Sequence, residues 1–245
     1  METIVESAAA WRAACDEVAA EILEECGVTE PPVDAFALAE TLGLLVAVDA
    51  GQQGRGRLKR VAGRTSIFVR PEERPERLQW TVAHEIGEAV AHRVFAHVGH
   101  SSQEPGPGQR EQVANRMASA LLLPRDWFLR DARLLDGDVL ELKKQYATAS
   151  HELVLMNLLR LSDLTLVSVF DHGRLTRRRG NGQLPPPRPL PLEAEVQQRL
   201  AGGEERVERI GDGVRVQGWA VHEPGWPREL LRTTPVEPLD LYGDN

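Results

Sequence analysis

The stretch from Glu76 to about Phe95 constrains this chain more than any other, because Leu78, Val82, Ile86 and Val90 recur every four residues along it. Apolar residues at that spacing form one stripe of an α-helix, which needs a core to receive it. Pro75 stands where a first helical turn tolerates proline. On this helix His84 and Glu88 lie one turn apart, a rise of about 6 Å, so their side chains project from the same face. The pattern His-Glu-x-x-His on a helix sets two ligands on a metal ion and a carboxylate beside its bound water. Here the segment is His84-Glu85-Ile86-Gly87-Glu88, with glutamate in the fifth position.

Three readings of that glutamate compete. Glu88 replaces the second histidine as a ligand, which zinc accepts through carboxylate oxygen. Alternatively the site has lost its metal and only the fold remains. In the third, His92 takes part, although about 12 Å of helix axis separates it from His84, so the helix would have to bend. Set against all three is the plain reading, that His84, Glu85 and Glu88 form a solvated polar helix face. A second helix, Gln109 to Leu123, shifts the balance toward a metal site, because Glu111 is followed by small residues where two helices can approach closely. Glu111 then supplies a third ligand.

At 245 residues, with 42% hydrophobic and 27% charged residues, the chain is long and apolar enough to bury its own core. Cys15 and Cys26 fall eleven residues apart on one helical segment, about 16 Å if the helix is continuous and too far for a disulfide. A reducing, cytoplasmic setting is expected, and no long apolar run suggests a leader or a membrane span. The net charge of -8 argues against a broad nucleic-acid grip. The basic run Arg177-Arg178-Arg179 reads as a solvated loop. The helix pair at Asp138 to Tyr146 and Ser150 to Leu161 has a helix-turn-helix outline, but its second helix is apolar enough to be read as packing and not as DNA contact.

Other elements follow from punctuation. A first helix runs from Ser7 to Cys26 and stops at Gly27, and a shorter one from Val33 to Leu42. Leu44 to Val48 reads as a buried strand, and Arg57 to Val61 and Thr65 to Val69 as further strands. Leu164 to Phe170 reads as a strand. The proline run beginning at Leu184 reads as a linker, followed by a helix from Leu192 to Leu200, a strand pair near Arg206 to Ile210 and Val214 to Val221, and Trp219 and Trp226 as core. Gly51 to Gly56 lacks the Lys and Ser or Thr of a nucleotide loop. His97, His100, His151, His172 and His222 read as surface or capping residues.

Over about Val33 to Leu161 the chain resembles the ImmA/IrrE family of metallo-endopeptidases. The likeness rests on Trp80-Thr81-Val82-Ala83-His84-Glu85-Ile86-Gly87, on the pattern of Glu111, Ala114, Asn115, Ala118 and Leu121 to Pro124, and on the order of the preceding helix and strands. It implies zinc held by two His and one Glu with a catalytic Glu, which transfers to His84, Glu85 and Glu111 and breaks at Glu88. It also implies a protein substrate: helix-turn-helix repressors cut by limited proteolysis, often encoded beside the protease and relieved in a stress response or mobile-element induction. Residues beyond the proline run do not resemble the sensor domain of some members.

The expected fold is α+β: a mainly helical, zincin-like metallopeptidase core with a small antiparallel sheet, plus a small C-terminal α+β appendage. Residues 1–180 form the metallopeptidase domain (motifs within 33–161), 181–191 a proline-rich linker and 192–245 the appendage. The expected function is a metal-dependent endopeptidase with His84, Glu88 and Glu111 as ligands of zinc, or of a harder ion such as manganese. Glu85 activates the metal-bound water, and the partner is a helix-turn-helix repressor, with no membrane and no direct nucleic-acid contact. The alternative is a non-catalytic protein of the same fold that binds and sequesters a regulator.

Overall fold

The computed structural model describes residues 2–99, 106–182, 186–222 and 225–236. The expectations for His100 and for the start of the proline run, Leu184-Pro185, lie outside these residues. The chain divides into two compact units, residues 1–131 with 143–150, and residues 132–142 with 151–245.

In the first unit, α1 (Glu2–Glu25) runs to the Gly27 stop, where φ is +69° and a side chain would be strained. Then come α2 (Ala35–Thr41), β1 (Leu45–Val48), β2 (Gly56–Val61), β3 (Arg64–Val69), α3 (Pro75–His97) and α4 (Pro107–Leu122). The core is made by Val18 and Ile22 of α1, Val82, Ile86 and Val94 of α3, Met117 and Leu121 of α4, and Ile67 of β3, all of them buried. Asp34 caps α2 by accepting from the Phe36 N–H. Gln79 of α3 ties that cap down, accepting from the Ala35 N–H at 2.7 Å and donating to Asp34 Oδ1 at 2.9 Å.

The three strands lie in the order β1-β3-β2, with β2 antiparallel to β3 and β1 parallel to it. This small sheet is therefore mixed, where an antiparallel one was expected. It also leaves β1 and β2 as edges. The apolar run of β1 was expected to be buried, yet Leu45 is 50% and Val48 66% exposed, because strand side chains project from the two faces of a sheet and, among the described residues, nothing covers the faces at these two positions.

Helices α5 (Arg125–Leu134), α6 (Val139–Gln145) and α7 (His151–Asn157) follow. The second unit is built on a five-stranded antiparallel sheet of β4 (Leu166–Asp171), β5 (Arg174–Gly180), β6 (Arg206–Gly211), β7 (Val214–Ala220) and β8 (Arg228–Pro235), in the order β5-β4-β8-β7-β6. One face carries α8 (Pro191–Ala201), whose Val196 and Leu200 pack with Phe170, Val207, Val216 and Leu231. Gly218 makes room for them, since a Cβ there would come within 2.6 Å of Val196 and 2.7 Å of Leu200.

Several expectations change here. The proline run connects β5 to α8 within one sheet-and-helix unit, so the strands before it pair with those after it. Arg177-Arg178-Arg179 is not a solvated loop but part of β5. Arg178 is buried and donates to Glu193 at 2.8 Å and to Ser168 Oγ at 2.6 Å. Glu193, completely buried in α8, also accepts from Thr233 Oγ1 and from the Leu190 N–H. Strand β8 has no counterpart in the sequence reading. Trp219 fills the core at 1% exposed, whereas Trp226 is 39% exposed and donates to Asp171. Among the described residues no helix is long and apolar enough to cross a membrane.

Candidate metal centre

The site is made where α3 crosses α4. Gly87 lets the two backbones close: a Cβ at that position would stand 2.8 Å from Met117 Cβ and 2.9 Å from Ala114 O. Ala114 and Ala118, both fully buried, are small for the same reason. This close crossing carries Glu111, near the start of α4, to the polar face of α3.

His84 Nε2 lies 3.6 Å from Glu111 Oε2. Asn115, one turn further along α4, donates to Glu111 Oε1 at 2.9 Å and to the Glu111 carbonyl at 2.9 Å, which turns the other carboxylate oxygen toward the histidine. Glu88 completes the group: one donor atom from each of His84, Glu88 and Glu111 lies within 4.8 Å of the others. Two ligands of one tetrahedral zinc, each bonded at about 2.1 Å, stand roughly 3.4 Å apart. The His84 to Glu111 spacing is close to that distance, and a Glu88 donor atom lies within 4.8 Å of both. The donor set, one imidazole and two carboxylates, thus fits a divalent ion. His92, by contrast, turns its Nδ1 to the Ala89 carbonyl on its own helix.

Glu85 points to the other side of the cleft, against β2. It is buried at 7% exposed and accepts from the Leu58 N–H of β2. Gly56 permits the approach, because a Cβ there would come within 2.5 Å of Glu85 Oε1 and 2.6 Å of Thr81 Cγ2. Burial is the main cause that pushes its carboxyl up to about 7, helped by the charges of Glu88 and Glu111 and opposed by the Leu58 hydrogen bond.

Three participants were absent from the sequence reading: Gly56, the Leu58 N–H, and Arg110, whose Nε lies 3.6 Å from Glu88 Oε2. Only Arg110 left a signal there, as a cation next to Glu111. Elsewhere His97 faces Glu17 and Glu21 at 3.2 and 3.3 Å, in keeping with a surface role.

Residues 39–159, which span both helices of this site, match the model of the M78 peptidases, the IrrE N-terminal-like domain. Over these residues the chain belongs to the ImmA/IrrE family. Members of this family are zinc metallopeptidases, and the fold is zincin-like. Among curated proteins no match to the chain is found. Among solved structures, a Mycobacterium tuberculosis transcriptional regulator superposes with a TM-score of 0.64 at 17% identity, covering 90% of this chain and 76% of that one. That likeness is one of fold.

Proposed function

We propose that this ImmA/IrrE-family chain is a metal-dependent endopeptidase that cuts a protein partner, a helix-turn-helix transcriptional repressor. The observation that carries the proposal is the convergence of His84, Glu88 and Glu111 within 4.8 Å, with the buried Glu85 carboxyl beside them. His84, Glu88 and Glu111 would hold the ion, zinc or a harder divalent metal such as manganese. Bound there, the ion supplies Lewis-acid activation of water and of a peptide carbonyl. Two carboxylates among three ligands make it a weaker Lewis acid than two imidazoles would, so slow, limited hydrolysis is expected.

Glu85 is the general base. Its carboxylate takes up a proton at Oε1 or Oε2, and its burial against β2 favours the protonated form, which suits a group that must accept a proton and then return it to the leaving amine. The Leu58 N–H and the absence of a side chain at Gly56 hold it in place. A helix-turn-helix repressor as partner is what family membership suggests, and it is consistent with a fold shared with a transcriptional regulator.

A second reading is favoured by the Glu88–Arg110 ion pair, which balances one ligand's charge without any metal. In it the chain binds and sequesters a regulator without cutting it. Incubation with a helix-turn-helix repressor that the chain binds separates the two. A protease yields two discrete fragments in the presence of zinc or manganese, lost with chelator and in Glu85→Gln while binding persists. Binding insensitive to chelator and to Glu85→Gln, with no fragments under any metal, overturns the enzyme reading.

A further inference from the structure

One side chain beside the ligand triad is explained neither by metal binding nor by proton transfer. Arg110 precedes Glu111 on α4, so the same helix start that delivers Glu111 to His84 delivers a guanidinium to Glu88, 3.6 Å away. The pairing accompanies the departure of this chain from His-Glu-x-x-His: a neutral imidazole in the fifth position has no need of a cation, whereas a carboxylate does. Glu85, Glu88 and Glu111 bring three carboxyl groups to one cleft, and close like charges disfavour one another unless a cation intervenes.

We propose that Arg110 is the resident counter-ion of Glu88, holding its carboxylate in the metal-free protein and releasing it when a divalent ion binds, so that Arg110 sets the metal affinity of the site. The proposal rests on the metal-centre reading above. Two effects act in the same direction. An ion entering the triad displaces the guanidinium from Glu88, so the pair is lost on loading. The displaced cation then remains tethered within a few ångströms of a dication, and like charges at such a distance repel. Both lower affinity relative to a site with no arginine. The Arg110 side chain is 49% exposed, so the effect is a partly screened one, and its removal does not open the core.

Calorimetric titration of zinc, and separately of manganese, into metal-free full-length protein tests this. Arg110→Gln is expected to bind zinc about five- to tenfold more tightly than the parent chain, and Arg110→Lys to stay within about twofold of it. The metal-free Arg110→Gln protein is expected to melt slightly lower, since Glu88 has lost its partner. In a Glu88→Gln background the Arg110 substitution is expected to raise zinc affinity by clearly less than it does in the parent chain, because the repulsion of the dication remains while the ion pair no longer has to be broken. Unchanged or weaker zinc binding by Arg110→Gln overturns the counter-ion role, as does an undiminished gain in the Glu88→Gln background. If neither the parent chain nor Arg110→Gln binds zinc or manganese, the metal-centre reading falls and this inference with it.

Discussion

Gly87 of α3 and Ala114 of α4 meet backbone to backbone, with room for no Cβ on the glycine: one placed there would lie 3.0 Å from Ala114 Cα and 2.9 Å from its carbonyl oxygen. This crossing sets the distance between the helix that carries His84 and Glu88 and the one that carries Glu111.

Gly87→Ala is therefore expected to push the helices apart. Overpacking of this kind costs about 1 to 3 kcal/mol, seen as a fall of several degrees in the thermal midpoint by circular dichroism. Because the same shift moves Glu111 away from His84, metal affinity is expected to fall as well. Unaltered stability together with unaltered affinity would show that the crossing does not set the site.

Gly56→Ala attacks the other wall. Its new methyl group would come within 2.5 Å of Glu85 Oε1, so Glu85 must move. Proteolysis of the partner is expected to drop by about tenfold or more, while zinc affinity, which does not depend on β2, stays close to that of the parent chain. Equal losses in both would mean that Gly56 supports the fold as a whole.

Metal-free protein offers a pH test. The folded-state carboxyl of Glu85 is raised to about 7, above its unfolded value, so the folded form binds the extra proton. Its contribution is fully present below the unfolded value and is lost as pH rises through the folded one. Stability should thus decline between about pH 5 and pH 8, and Glu85→Gln, which stays neutral, should flatten part of that decline. Thermal midpoints of both proteins at the two pH values check it; parallel profiles exclude Glu85 as the cause.

In the second unit, Arg178→Met leaves the wholly buried Glu193 without its cation. Breaking a buried pair on one side typically costs about 3 to 5 kcal/mol. The double substitution Arg178→Met with Glu193→Gln is expected to regain part of that loss, since the neutral amide oxygen can still accept from the Leu190 N–H while its NH2 group donates to Thr233 Oγ1. Chemical denaturation curves distinguish the two variants, and a mild effect of the single substitution would mean that water reaches the pair.

What the sequence makes legible is local. The spacing of Leu78, Val82, Ile86 and Val90 after Pro75 marks α3, and with it the shared face of His84 and Glu88; the small residues after Glu111 mark α4 and its close crossing. The α+β class follows from the same punctuation. Contacts set by tertiary structure are not legible in this way. The Leu58 N–H reaches Glu85 because β2 is an edge strand, and nothing in Arg57 to Val61 says on which side its neighbour lies. Arg178 reads as a surface charge within a basic run until its partner Glu193 is known, and that partner lies fifteen residues away. In β1, an apolar run looks the same whether or not another element covers the face its side chains project from.

The central claim is that His84, Glu88 and Glu111 hold one divalent ion. Diffraction at the zinc absorption edge from zinc-saturated crystals addresses it directly. A metal centre predicts a single anomalous peak within about 2.0 to 2.2 Å of a His84 ring nitrogen and of one carboxylate oxygen each from Glu88 and Glu111. A peak that omits Glu88, or no peak at these side chains after saturation with zinc and then with manganese, is incompatible with the proposed centre.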